Sequence, residues 1–166
     1  MVQDIGLDKL IREHPFFEGM DDDDMEFIAG CAANERFDPG QYVFREGQPA
    51  DKFYVVRHGS VALEVRTPGR DPIILQTCDE GDVMGWSWLV PPFRWKWDAR
   101  ATTLTRLVSF DAICLRGKLD AEPRLGYAMY KRFVRVIAER LGHARLQMLD
   151  LWGVSEGTPG SDKIDA

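Results

Sequence analysis

Between residues 35 and 77 the chain reverses about every ten residues, and no other feature constrains the fold as much. Residues 36–38, 41–45, 52–56, 60–66 and 72–77 read as short strands. Breakers part them: Pro39-Gly40, then Glu46-Gly47-Gln48-Pro49, His58-Gly59, and the loop from Thr67 to Asp71. In the fourth strand Val61, Leu63 and Val65 alternate with Ala62, Glu64 and Arg66, the pattern of a strand with one face buried. The expectation is a mainly β domain, a barrel or jelly roll, with flanking helices.

Helical periodicity brackets the strands. Leu7, Leu10 and Ile11 give residues 7–14 an apolar face, and Pro15 ends that helix. A second helix is expected over 22–33, burying Met25, Phe27, Ile28 and Cys31. The aspartates at 21–24 open it as caps and dipole partners rather than as a calcium loop, whose ligand spacing is missing. Two more strands are expected over 99–104 and 105–110, then a helix over 112–119 capped by Asp111. Pro123 fits the first turn of a long last helix within 122–152. Along it Tyr130, Val134, Ile137, Leu141, Ala144, Met148 and Leu151 recur at alternating spacings of four and three, a heptad seam that predicts a homodimer through this helix. A second stripe of Met129, Phe133 and Val136 can pack on the barrel, and Arg132, Arg135, Arg140 and Arg145 read as a solvated face. Residues 1–152 then form one domain, and the small, polar stretch 153–166 reads as a disordered tail.

Residues 79–101 interrupt the β pattern. They hold a Gly81-Asp82-x-x-Gly85 turn, two consecutive prolines and four of the five tryptophans. A helix is expected to start near Trp86, its free N–H groups facing an anion. Gly85, Trp86, Ser87, Trp88, Arg94, Trp95, Lys96, Trp97 and Arg100 are the candidate ligand-binding residues. Indole rings stack on bases or nicotinamide, and tryptophan with arginine is also the composition of protein-docking hot spots.

The remaining features argue against other classes. A net charge of −6 does not suit a surface given over to nucleic acid. The cysteines (Cys31, Cys78, Cys114) and the histidines (His14, His58, His143) lack metal-ligand spacing, so no metal site is expected and the thiols read as reduced. No nucleophile–base pair or paired carboxylates appear, and the reading is of a non-enzyme. No secretory signal or membrane-length apolar run is present, which leaves the cytoplasm as the expected location, without membrane attachment.

The run from Phe44 to Val56, FREGQPADKFYVV, followed by His58-Gly59-Ser60-Val61, resembles the cyclic nucleotide-binding domain, the sensor half of the catabolite-activator and fumarate-nitrate regulators. The resemblance spans residues 7–152. It implies an eight-stranded double-stranded β-helix jelly roll with a long C-terminal helix, and a phosphate-binding cassette in the tryptophan-rich stretch. In that family the cassette reads Gly-Glu, a short helix, then Arg-x-Ala; the glutamate holds the ribose hydroxyl and the arginine the cyclic phosphate. Here Trp86 stands at the glutamate position, and Trp95 and Trp97 stand near the arginine and the small residue. Loss of a bidentate, charge-assisted contact argues against ordinary cyclic AMP binding.

Three roles then remain open for the cassette: binding another nucleotide such as NADP(H), docking a partner, or filling the old pocket as inert scaffold. About fourteen residues follow Trp152, too few for the family's helix-turn-helix, so direct DNA binding is not expected. The cassette is also similar to stand-alone domains of bacterial redox enzymes, among them an accessory subunit of NAD-reducing hydrogenases. That likeness implies a regulatory or accessory module with a redox-enzyme partner. The alternative is a cyclic AMP or cyclic GMP regulator of the same family without its DNA-binding domain.

Overall fold

The computed structural model describes residues 5–153. Helix α1 (Ile5–Glu13) leads through a 3-10 turn, Pro15–Phe17, into α2 (Asp22–Gly30). Eight strands follow among the described residues: β1 (Ala32–Phe37), β2 (Tyr42–Phe44), β3 (Lys52–His58), β4 (Val61–Val65), β5 (Ile73–Cys78), β6 (Val83–Met84), β7 (Asp98–Ala101) and β8 (Thr105–Asp111). Helices α3 (Ala112–Ala121) and α4 (Pro123–Leu151) close the chain. The strands form two antiparallel four-stranded sheets, ordered β1-β8-β3-β6 and β2-β7-β4-β5. This is the jelly-roll architecture with its long terminal helix. The expected tail falls almost wholly on 154–166, outside the described residues.

Three sequence expectations need correction. Helix α2 stops at Gly30 instead of Ala33, because Ala32 already pairs with Phe110 in the β1–β8 ladder. The alanines at 32 and 33 suit a helix locally, and sheet pairing overrides that preference. The same pairing moves the first strand from 36–38 back to Ala32–Phe37. Strand β7 ends at Ala101 rather than Leu104, where the chain bends into a loop whose Thr102 N–H donates to Ser60 O at 3.0 Å.

An aromatic cluster holds sheets, cassette and helix together. The Phe53 ring, fully buried on β3, stacks on Phe110 of β8 at 4.4 Å and on Trp88 of the cassette at 5.4 Å. Phe133 of α4 meets Phe53 edge-on at 5.2 Å and Phe16 at 5.0 Å. Each such ring contributes about 1.5–3 kcal/mol by burial, with about 0.5–1.5 kcal/mol more from each well-placed ring pair. Leu125, Met129 and Phe133 are the buried stripe of α4, so the helix is seated on the barrel by the second stripe read in the sequence. Of the heptad seam, Tyr130, Val134, Leu141, Met148 and Leu151 are exposed, with Leu151 85% accessible, while Ile137 is half buried.

The hairpin at Gly59 is built against the 102–105 loop. Its φ is +87°, and a Cβ there would lie 2.4 Å from the Leu104 carbonyl oxygen and 2.9 Å from Thr105 Cα. Both the left-handed backbone and the clash with main chain exclude a side chain. Gly59→Ala is expected to lower stability by about 2–4 kcal/mol in urea denaturation, strain and overpacking together.

Candidate functional site

Residues 79–101 fold from the sheet outward and back. After β6, Gly85 takes φ +91°, a value that any side chain would strain. The helix expected near Trp86 is a single 3-10 turn, Trp86–Leu89, too short to present a helix N-terminus to an anion. The returning leg is zipped to the turn between β2 and β3. Trp95 N–H donates to Gln48 O at 3.0 Å, Gly47 N–H to Trp95 O at 2.9 Å, and Ala50 N–H to Phe93 O at 2.8 Å.

The four tryptophans divide into two pairs. Trp95 is buried, its ring stacked on Phe44 at 3.8 Å and 11°. A Cβ on Gly85 would lie 2.9 Å from that ring, so glycine at 85 and tryptophan at 95 accommodate each other. Trp88 is fully buried against Phe53 and Phe133, and its indole N–H has no hydrogen-bond partner among the described residues. Trp86 and Trp97 are only half buried. They meet edge to face at 6.1 Å and line an open groove between the barrel and α4.

The other expected site residues lie elsewhere. Ser87 is buried, and its carbonyl accepts from Val90 N–H. Arg94 and Lys96 are exposed and do not line the groove; Arg94 donates to Gly47 O at 2.7 Å. Arg100 pairs in register with Ala62, one residue out of step with Leu63 of the groove, and so lies on the opposite face of the sheet. There it is ion-paired with the buried Glu64, and that hydrogen bond is the first cause of its raised pKa. Asp98, buried on the same face, is flanked by Arg45 at 3.4 Å and Arg66 at 3.3 Å. Of the nine expected residues, the structure brings Trp86 and Trp97 together in the groove.

The groove encloses about 1220 Å³. Leu63, Leu75, Gln76 and Thr77 line its barrel side, and Lys131, Arg132, Arg135, Arg140 and His143 its α4 side. Its four α4 cations stand against the carboxylates Glu18, Asp82 and Glu139, while Arg124 at its margin is paired with Asp21 and Asp24. Ile137, Leu141 and Ala144 of the heptad seam reach its edge.

Two of the α4 cations, Arg132 and Arg140, correct the reading of a solvated arginine face, while Arg135 and Arg145 are exposed as expected. Arg140 is half buried and donates to the Val83 carbonyl beside the cassette. Arg132 donates to Glu18 O at 2.6 Å and Ala128 O at 2.8 Å. Its pKa is lowered, first by burial and then by the charge of Arg135, so the wall gains if an anion comes between them. The signal for these residues was present. The inward stripe Met129, Phe133, Val136 continues at helical spacing to residue 140, and Arg132 lies three residues beyond Met129.

Comparison with known proteins agrees with this fold. A family model described as "Cyclic nucleotide-binding domain" matches residues 34–122. The chain is 25% identical over 145 residues to a CRP-like cAMP-activated global transcriptional regulator of Mycobacterium tuberculosis, covering 87% of this chain and 63% of that protein. It thus spans less than two thirds of that relative's length. The fold is similar to a solved protein assigned to cyclic nucleotide binding from Geobacter metallireducens GS-15, with TM-score 0.73, 25% identity and coverage of 82% and 98% of the two chains. It is also similar to a cyclic nucleotide-binding domain from Methylobacillus flagellatus, at TM-score 0.72 and 14% identity over 92% and 84%.

The division of the tryptophans is directly measurable. Trp95→Ala is expected to cost about 3–5 kcal/mol in chemical denaturation, the penalty of emptying a buried aromatic site. Trp97→Ala, at the half-buried groove edge, should cost under about 1.5 kcal/mol by comparison.

Proposed function

The chain belongs to the cyclic nucleotide-binding domain family, and from that premise we propose a non-catalytic, cytoplasmic sensor or accessory module with an altered ligand site. The ligand is an anionic nucleotide larger than a cyclic mononucleotide, NADP(H) being the fitting example. Trp86 and Trp97 stack on its planar ring, and Arg135 and its neighbours on α4 meet its phosphates.

One observation carries this reading: the half-buried tryptophan pair faces a cationic helix wall across an open groove. Trp95, at the position where the resemblance expects the phosphate-binding arginine, is spent on the Phe44 stack. A cyclic phosphate seated there would displace a buried ring and find no guanidinium. Arg135 has no carboxylate partner within ion-pair distance among the described residues. The groove that it lines, about 1220 Å³, is larger than a mononucleotide fills.

A second feature supports assembly. The exposed seam Tyr130, Val134, Leu141, Met148 and Leu151 is an apolar stripe on a 29-residue helix. We take it as a homodimer contact, with docking to a larger partner as the competing use. A redox-enzyme partner is carried by sequence likeness alone.

Melting temperature measured with cyclic AMP, cyclic GMP, NAD(H), NADP(H) and ATP tests the ligand. A rise with the dinucleotides that weakens in Arg135→Gln supports the proposal. A rise with cyclic AMP alone contradicts it and favours the cyclic AMP regulator. No rise with any of them favours partner docking, which pull-down with the intact chain then addresses. For the seam, light scattering should report a dimer for the wild type and a monomer for Leu141→Arg; a wild-type monomer would refute the dimer.

A further inference from the structure

Two of the three cysteines, 83 residues apart in sequence, come together on the surface away from the groove. Cys31 caps the end of α2 and Cys114 lies in the first turn of α3. Their sulfurs are 3.3 Å apart, with the Cys31 thiol donating to Cys114 Sγ. The backbone fixes the approach: Asp111 N–H donates to Cys31 O at 2.9 Å, and the Asp111 carboxylate caps α3 by accepting from Ile113 N–H and from Cys114 N–H. Both cysteine main chains are therefore tied to the same aspartate. For a disulfide the 3.3 Å sulfur separation has to close to a bond length of about 2.05 Å.

We propose that Cys31 and Cys114 are an oxidation site, a dithiol that closes to an intramolecular disulfide on exposure to a hydroperoxide. The two sulfurs have different surroundings. Cys114 is exposed and meets the oxidant; Cys31 is half buried beneath it. Burial first, and then the hydrogen bond to Cys114, push the Cys31 pKa up to about 12, so Cys31 keeps its proton while its neighbour reacts. In the first step Cys114 sulfur attacks the peroxide, the O–O bond breaks, and an alcohol (water, for hydrogen peroxide) leaves a sulfenic acid. In the second, Cys31 sulfur attacks Cys114 sulfur, the S–O bond breaks, and the departing hydroxide takes the Cys31 proton as water. Two thiols are oxidised and one peroxide is reduced.

The crosslink joins elements that carry α4. Helix α3 runs into α4 across Glu122, and the two pack so closely that a Cβ on Gly126 would lie 3.0 Å from Leu119 O. Helix α2 already reaches α4 through Arg124, which pairs with Asp21 at 2.5 Å and Asp24 at 3.2 Å. A Cys31–Cys114 bond would fasten α2 to α3 and hold this helical side against the barrel. Cys78, buried in the core and beside Arg140, is the internal control.

The test uses the reduced, full-length chain treated with hydrogen peroxide, with thiols then counted in denaturant. The count should fall from three to one, with the mass of two hydrogens lost, a peptide crosslink between Cys31 and Cys114, and full reversal by dithiothreitol. Cys114→Ser should keep both its thiols under the same treatment. Cys31→Ser should lose the intramolecular bond and accumulate over-oxidised or intermolecularly linked Cys114. Retention of all three thiols in the wild type, a bond involving Cys78, or a disulfide between two chains would each overturn the proposal.

Discussion

The contact on which the rest depends is the packing of Trp88 and Phe133 around Phe53. One ring comes from the cassette, one from the terminal helix and one from the central strand β3. Because the three are mutually in contact and fully buried, the cassette cannot shift without disturbing the seat of α4. Close-packed interiors transmit such displacements instead of absorbing them. That is a physical route by which something bound beside Trp86 could alter how α4 presents its apolar seam. The seam and the groove also share Ile137, Leu141 and Ala144. The proposed ligand binding and the proposed helix pairing would therefore act on adjoining surfaces.

Around that contact, two of the cassette's tryptophans pack inward. Trp95 stacks on Phe44, and Gly85 leaves room for its ring. On α4, Arg132, Arg135 and Arg140 line the groove. A pocket gripped from its own barrel closes around something small. A groove gripped from a helix across the opening suits a longer anion, and the half-buried pair Trp86 and Trp97 supplies the flat surface.

Much of this was legible in the sequence. Glycine turns and alternation in residues 60–66 marked the sheets, and the two stripes of the last helix were separable by spacing. What was not legible has physical reasons. Trp86 and Trp88 sit in a 3-10 turn, where neither period two nor period 3.6 assigns an inward side. Arg100 looked available as a phosphate ligand until β7 fixed its direction; with Ala99 and Ala101 inward, residues 98 and 100 face the other way. The end of α2 depended on a strand partner near residue 110, a long-range pairing that local propensity cannot supply. Arg132 and Arg140 flank the buried stripe of α4 and donate to carbonyls, an arrangement hidden by their charge.

The central claim is that two tryptophans of the cassette build the core and two build the site. Nitrogen–proton spectra of the indole N–H groups during titration with NADP+ and, separately, with cyclic AMP test it most directly. The account predicts that the Trp86 and Trp97 signals move most with the dinucleotide while Trp95 holds still, and that cyclic AMP moves none of the four. Movement of Trp95 ahead of the others on adding cyclic AMP would mean that the old phosphate position still opens, and would contradict the account.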